Sequence, residues 1–323
     1  MTSGHAPWDA TLTASQYHLI SFFVTAAALA LLIGVVRAWV GREEVGARYR
    51  SAESARIGVK AVAALSYIAL WIGLREGYDV SAAGYVPNFA AIDAFLPRYA
   101  GWAVTVPLLT IELLAVCTIA GLTVRRAMTV SVGGAFLMIF TGFIGTFVID
   151  DGNSVDAMLM WGALSVVFYL IVNAVLIVAV RQSLPYLTGE TSKLLKQATL
   201  LLLGGWLLFP VIASIQLFGE SGGWVTTMQV AYCVVDVVVK LGFGALVHRI
   251  AKLRTAEDVR TGADVHPEAI WISSVKQSDA ALPPESYVDS RSMVHTRRER
   301  PPSASAIPLA TGETDPDSRV FED

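Results

Sequence analysis

Cysteine is scarce: Cys117 and Cys233 are the two in 323 residues, which excludes a disulfide scaffold. Charge is scarce too. Only 16% of residues are Asp, Glu, Lys or Arg, against roughly 25% in an ordinary soluble domain, while 54% are apolar and the mean hydropathy is +0.56. There is no basic excess: the net charge is −3, so the chain lacks the electrostatic footprint of a nucleic-acid binder. The five histidines show no metal-ligand spacing. No nucleotide-binding glycine loop and no serine or cysteine triad appear, so neither a metal site nor an enzymatic activity is expected. What is left is a protein whose solvent is the lipid bilayer.

The shortage of charge is uneven. Residues 252–323 hold 9 basic and 13 acidic residues, about 31% of their 72 positions, and 7 of the 13 prolines. Residues 1–251 are only about 12% charged. The expected organisation is an extracellular segment 1–17, a membrane domain 18–251 and a disordered cytoplasmic tail 252–323, which cannot assemble a core from such a composition.

A helix needs about 20 predominantly apolar residues to cross the ~30 Å hydrocarbon layer. Seven windows qualify, near 20–40, 57–76, 99–122, 127–149, 156–180, 194–218 and 225–248. The fold class is therefore an all-α seven-transmembrane-helix bundle. The segment 77–98, with Gly84, Tyr85, Val86 and Pro87, reads as a short hairpin. Lysine and arginine set the orientation, because they are retained on the cytoplasmic side. Arg42, Arg48, Arg50 and Arg56, then Arg125 and Arg126, then Arg181, Lys193 and Lys196 fall in alternate loops, whereas 1–17, 77–97, 150–156 and 219–224 have none. The N-terminus is expected outside and the C-terminus in the cytoplasm of a multi-pass plasma-membrane protein. With no basic stretch before the first span, a cleaved signal peptide is not expected.

A charge at mid-bilayer costs roughly 2.5–3.5 kcal/mol by insertion scales, so each one is a functional candidate. Lys60 is expected to lie about one turn inside its span and to snorkel outward, and Arg75 and Glu76 to reach the opposite interface. Asp236 and Lys240 lie deep in the seventh span, four residues apart and thus on one helical face. Such a buried pair contributes little net stability after desolvation, which makes a purely structural role weak. A lysine in apolar surroundings is more readily the neutral amine needed for Schiff-base formation with an aldehyde. On the third span, Arg98, Gly101, Thr105 and Glu112 fall within roughly 60° of one another at ~100° per residue, a polar stripe along an internal path. Pro107 removes one backbone donor there. Trp102, Trp206, Phe209 and Met138 read as walls of a long apolar pocket, with Gly142 making room.

On these motifs the chain resembles the microbial rhodopsins over about 20–250. They are Arg98-Tyr99, Trp102, Thr105 and Pro107-Leu108-Leu109; Trp206 with Phe209-Pro210; and Asp236 and Lys240 before Gly242-Phe243-Gly244. The resemblance implies all-trans-retinal bound to Lys240 as a protonated Schiff base, with Asp236 a counterion. It implies a retinal pocket of Trp102, Leu109, Met138, Gly142, Trp161, Trp206, Phe209 and Pro210. The family's pumps carry a carboxylate where this chain has Gly101, and Glu112 matches their cytoplasmic proton donor. The third-helix signature is thus Gly101, Thr105, Glu112, and Phe209 replaces a common tyrosine. Removing one of two carboxylates beside a cation weakens retention of its proton, and conventional outward pumping then lacks its first acceptor.

The expected function is a light-driven proton translocator, weak or inward, with Arg98, Thr105, Glu112 and Glu220 on the proton path. The alternative is a photosensor without net ion transport that signals to a cytoplasmic partner of the tail. An anion pump is a lesser reading, against which Glu112 speaks. A secondary transporter would show inverted repeats and broken helices, and neither is found. A homo-oligomer in the bilayer is compatible with such a bundle.

Overall fold

A computed structural model describes residues 6–217, 219 and 221–261. Seven long helices cross the molecule: α1 Ala14–Val40, α2 Arg50–Glu76, α3 Leu96–Ala115, α4 Gly121–Phe143, α5 Val155–Ser183, α6 Gly189–Ala213 and α7 Gly222–Arg260. Six are long and apolar enough to span a membrane by length and composition alone. The other is α3, whose 20 residues include Arg98, Pro107 and Glu112. It packs between α2 and α4, and α7 packs on both α1 and α6, so the helices close a bundle around an internal space.

Local chemistry sets the ends. The Thr13 hydroxyl accepts from the Gln16 amide while the Gln16 side chain accepts from the Thr13 amide, a reciprocal cap that starts α1. Ser154 accepts from the Ala157 amide and starts α5. The hairpin expected in 77–98 is present: β1 Tyr78–Ser81 pairs antiparallel with β2 Gly84–Pro87, in the register Tyr78 opposite Pro87. Gly84 has φ +112°, a conformation suited to glycine, and backs onto the Leu12 carbonyl. Leu12 bridges to Tyr85, and the Tyr17 ring stacks on Tyr85 at 3.9 Å, which seals the outer end of α1.

Three expectations are corrected. First, α2 begins at Arg50 rather than near 57, so Lys60 lies almost three turns inside the helix. It does not snorkel: it is 4% exposed, and its Nζ donates to the Arg56 carbonyl at 3.2 Å. Second, the fourth span does not run as one regular helix to 149. After Phe143 the chain widens into a π-helical turn, Ile144–Val148, and Asp150 and Asp151 take positive φ before α5. Third, α7 continues beyond 251, so the boundary of the tail shifts. Arg254 donates to the Val116 carbonyl at 2.9 Å, Thr255 accepts from the Gly46 amide at 2.9 Å, and Tyr49 donates to Asp258 at 2.7 Å. These contacts hold the extra turns against the loops. The remainder of the expected tail, 262–323, lies outside the described residues.

Candidate functional site

The chemistry gathers where α7 passes α3 and α2. Lys240 and Asp236 are buried, and the Lys240 Nζ lies 2.5 Å from Asp236 Oδ1. Asp236 is also held from two other helices. Tyr67 on α2 donates to Oδ2 at 3.1 Å, and the Trp102 indole on α3 lies 3.3 Å from both oxygens. Each donor stabilises the carboxylate form, as a charge taken out of water requires.

A cavity of about 470 Å³ is lined by Lys240 and Asp236. Of the eight residues expected to line a pocket, Trp102, Leu109, Met138, Gly142, Trp206, Phe209 and Pro210 do so. Trp161 does not: it stands beside Gly145, where a Cβ would meet its own Cβ at 2.6 Å, and Met158, Gly162 and Ser165 take that wall instead. The helical period of α5 points Trp161 toward the π-helical turn after α4, a distortion no local pattern announces. Tyr99, Val106, Tyr169 and Tyr232 also line the cavity and were not anticipated; apolar periodicity alone marks them only as core. An apolar-walled cavity with one amine among its lining residues fits a long polyene aldehyde.

Outward of Asp236, Arg98 is buried and does not pair with it. Its Nη1 donates to Gln229 at 2.5 Å, Gln229 donates on to the Ala94 carbonyl at 3.1 Å, and the guanidinium lies 5.0 Å from the Tyr232 ring centroid. Arg98 Nε and Nη2 and the Thr105 hydroxyl have no hydrogen-bond partner among the described residues. Gly101 packs closely against α2. A Cβ there would run into the Ser66 hydroxyl and lie 2.8 Å from the Ser66 Cβ. The position that lacks a carboxylate is therefore a close helix contact with no side-chain-sized hole. Glu220 lies outside the described residues.

Inward of Lys240, Glu112 is fully buried, and neither carboxyl oxygen has a hydrogen-bond partner among the described residues. The Lys60 Nζ and Glu112 Oε1 both lie within 3.3 Å of the point where a Gly244 side chain would begin. Among the described residues no His, Cys, Asp and Glu group suits a metal ion.

The model of the bacteriorhodopsin-like protein family matches residues 18–253, all seven helices. The chain belongs to this family. It is 27% identical over 215 residues to the bacteriorhodopsin-II-like protein of Haloquadratum walsbyi, covering 65% of this chain and 78% of that one. It is 26% identical over 228 residues to archaerhodopsin-2 of a Halobacterium species, covering 68% and 81%. Among solved structures it resembles xanthorhodopsin, a light-driven ion pump with dual chromophore, at a TM-score of 0.68 and 25% identity over 76% of this chain and 97% of that one. A thermophilic rhodopsin superposes at 0.70 with 23% identity, over 77% and 98%, and shows the same fold. Members of the bacteriorhodopsin-like family bind retinal through a Schiff base to a lysine; they are light-driven pumps or sensors, not enzymes in the usual sense. The chain is thus a multi-pass retinal protein of the bilayer.

Proposed function

We propose that this chain is a light-driven proton translocator in the plasma membrane, with transport weak or inward, and that Lys240 carries the retinal. Bound there, retinal supplies light absorption and an isomerisation that alters the surroundings of the nitrogen proton. The residues do the rest. Asp236 holds the positive charge, while Tyr67 and Trp102 fix its orientation and occupy its oxygens. Trp102, Trp206 and Phe209 exclude water from the reacting end.

One observation carries the reading: of the buried carboxyl groups Asp236 on α7 and Glu112 on α3, Asp236 is fully partnered and Glu112 is not. No carboxylate stands at Gly101 to accept a proton outward, so the unpartnered acid faces the cytoplasm. A buried acid without fixed partners changes protonation with the least loss of hydrogen bonds, which suits a proton exchanger. Illumination of retinal-loaded cells should change external pH in a protonophore-sensitive way, with alkalinisation for inward transport. No pH change would remove the proposal, and acidification would reverse its direction.

One feature favours the photosensory alternative. The helix that bears Lys240 continues unbroken to Arg260, so a shift at the chromophore reaches the cytoplasmic face on the same rigid element.

A further inference from the structure

The inner half of the bundle buries more charge than the chemistry at Lys240 uses. Glu53, Arg56 and Lys60 form one face of α2 and are each no more than 4% exposed. Glu53 and Arg56 make an ion pair, and Arg56 also donates to the Ala38 carbonyl at 3.3 Å. Deep unpaired charge is costly, so such a row persists only where its members support one another.

The outer end of this row is His248 on α7. Its Nδ1 lies 2.8 Å from Glu53 Oε1, and its Nε2 lies 3.2 Å from Glu44 Oε2, on the short turn Gly41–Glu44 after α1. Glu44 and His248 are part-exposed, and Lys252 pairs with Glu44 at 2.7 Å. Gly41 stands against the His248 ring and the Arg56 guanidinium, where a Cβ would lie 3.4 Å from Nε2 and 3.6 Å from Nη2. The charged groups facing His248 are thus Glu44 from the turn, Glu53 and Arg56 from α2, and Lys252 from its own helix. At the inner end, Lys60 Nζ and Glu112 Oε1 both border Gly244 without pairing directly.

We propose that His248 is the cytoplasmic proton port of this protein and that Lys60 is the inner partner that exchanges the proton with Glu112. The proposal rests on the translocation reading above and deepens it. The imidazole takes a proton at Nε2 from the Glu44 side and gives one from Nδ1 to Glu53, ending as the other neutral tautomer. Lys60 gives an ammonium proton to Glu112 and regains the one that reached Glu53, both through intervening water because neither carboxyl group pairs directly with Lys60, so the charge of the segment is unchanged. The reverse sequence releases a proton. Gly244 leaves room for both inner groups: a Cβ there would lie 2.6 Å from the Lys60 Nζ and 3.3 Å from the Glu112 Oε1.

The test uses the full-length retinal-bound protein in lipid nanodiscs. Time-resolved infrared spectroscopy follows the Glu112 carboxyl band, assigned with Glu112→Gln, and a pH dye follows exchange with the medium. His248→Gln and Glu53→Gln should each slow the recovery of that band and the matching dye signal about a hundredfold, the lower end of the range for loss of a proton-transfer group. Gly244→Ala lies outside the charged row and should slow recovery by displacing Lys60; it decides the matter if the other variants lose their visible band. Recovery within twofold of the parent in these variants, or no light-induced Glu112 band in the parent, would overturn the port. The transport reading is separated by vesicle assays. Slowed recovery without net transport keeps the port and removes the transport, whereas net transport with unchanged recovery does the opposite.

Discussion

The outer and inner halves of this bundle handle buried carboxyl groups in opposite ways. On the outer side of the pocket Asp236 engages Lys240, Tyr67 and Trp102 at once. On the inner side Glu112 has no hydrogen bond among the described residues, although Lys60 and Glu112 both border Gly244. Protonation of a fully partnered carboxylate gives up its ion pair and weakens the hydrogen bonds it accepts. A buried acid without such bonds has less to lose. The difference separates a group that holds the chromophore's charge from one that exchanges a proton.

The largest expected effect comes from removing the group both halves serve. Lys240→Ala should abolish the visible absorption band of the retinal-reconstituted protein altogether; a retained band would move the attachment point to another residue. Next is Asp236→Asn. Breaking a buried pair by removing one partner costs about 3–5 kcal/mol. The protonated chromophore should then lose its band at a pH lower by roughly two units or more, read by spectral titration, since 1.36 kcal/mol corresponds to one unit. An unchanged titration would mean that another anion neutralises the site.

The comparison is sharpened by giving the outer half a second acid. Gly101→Asp alone forces α3 against Ser66, so the informative variant joins it with Ser66→Gly. The visible band should persist to more alkaline pH, and vesicle transport should move toward outward pumping. A titration identical to the parent's would show that position 101 does not face the chromophore charge. The smallest effect is expected from Tyr67→Phe, which removes one of the donors to Asp236 and costs about 1.5–3 kcal/mol for a hydrogen bond to a charged group. The same titration should shift by about one to two units. No shift would assign the orientation of Asp236 to Trp102 alone.

Much of the architecture is legible in the residues. Seven apolar windows become seven helices because a lipid-facing backbone must satisfy its own hydrogen bonds. Lys240 and Asp236 meet because a spacing of four places them on one face of a helix. Arg98, Gly101, Thr105 and Glu112 are all buried, as their shared stripe on α3 requires. The failures have a common cause. Lys60 is misplaced because charged residues at the start of α2 disguise two buried turns, in which Glu53 and Arg56 pair with each other and with neighbours. Trp161 is misplaced because the π-helical turn after α4 rotates what α5 packs against. His248, at the edge of the last span, carries no local sign of its two carboxylate partners.

By itself, then, the amino-acid order determined that seven helices form, the orientation expected from loop charge, and the pairing of Asp236 with Lys240, since these depend on neighbours a few residues away. Tertiary structure alone decided what stands opposite each face. It set Ser66 against Gly101, Glu53 and Glu44 on either side of His248, and both Lys60 and Glu112 beside Gly244. These contacts join residues tens to hundreds of positions apart. They depend on the rotation and depth of each helix within the bundle, which close packing of all seven fixes together.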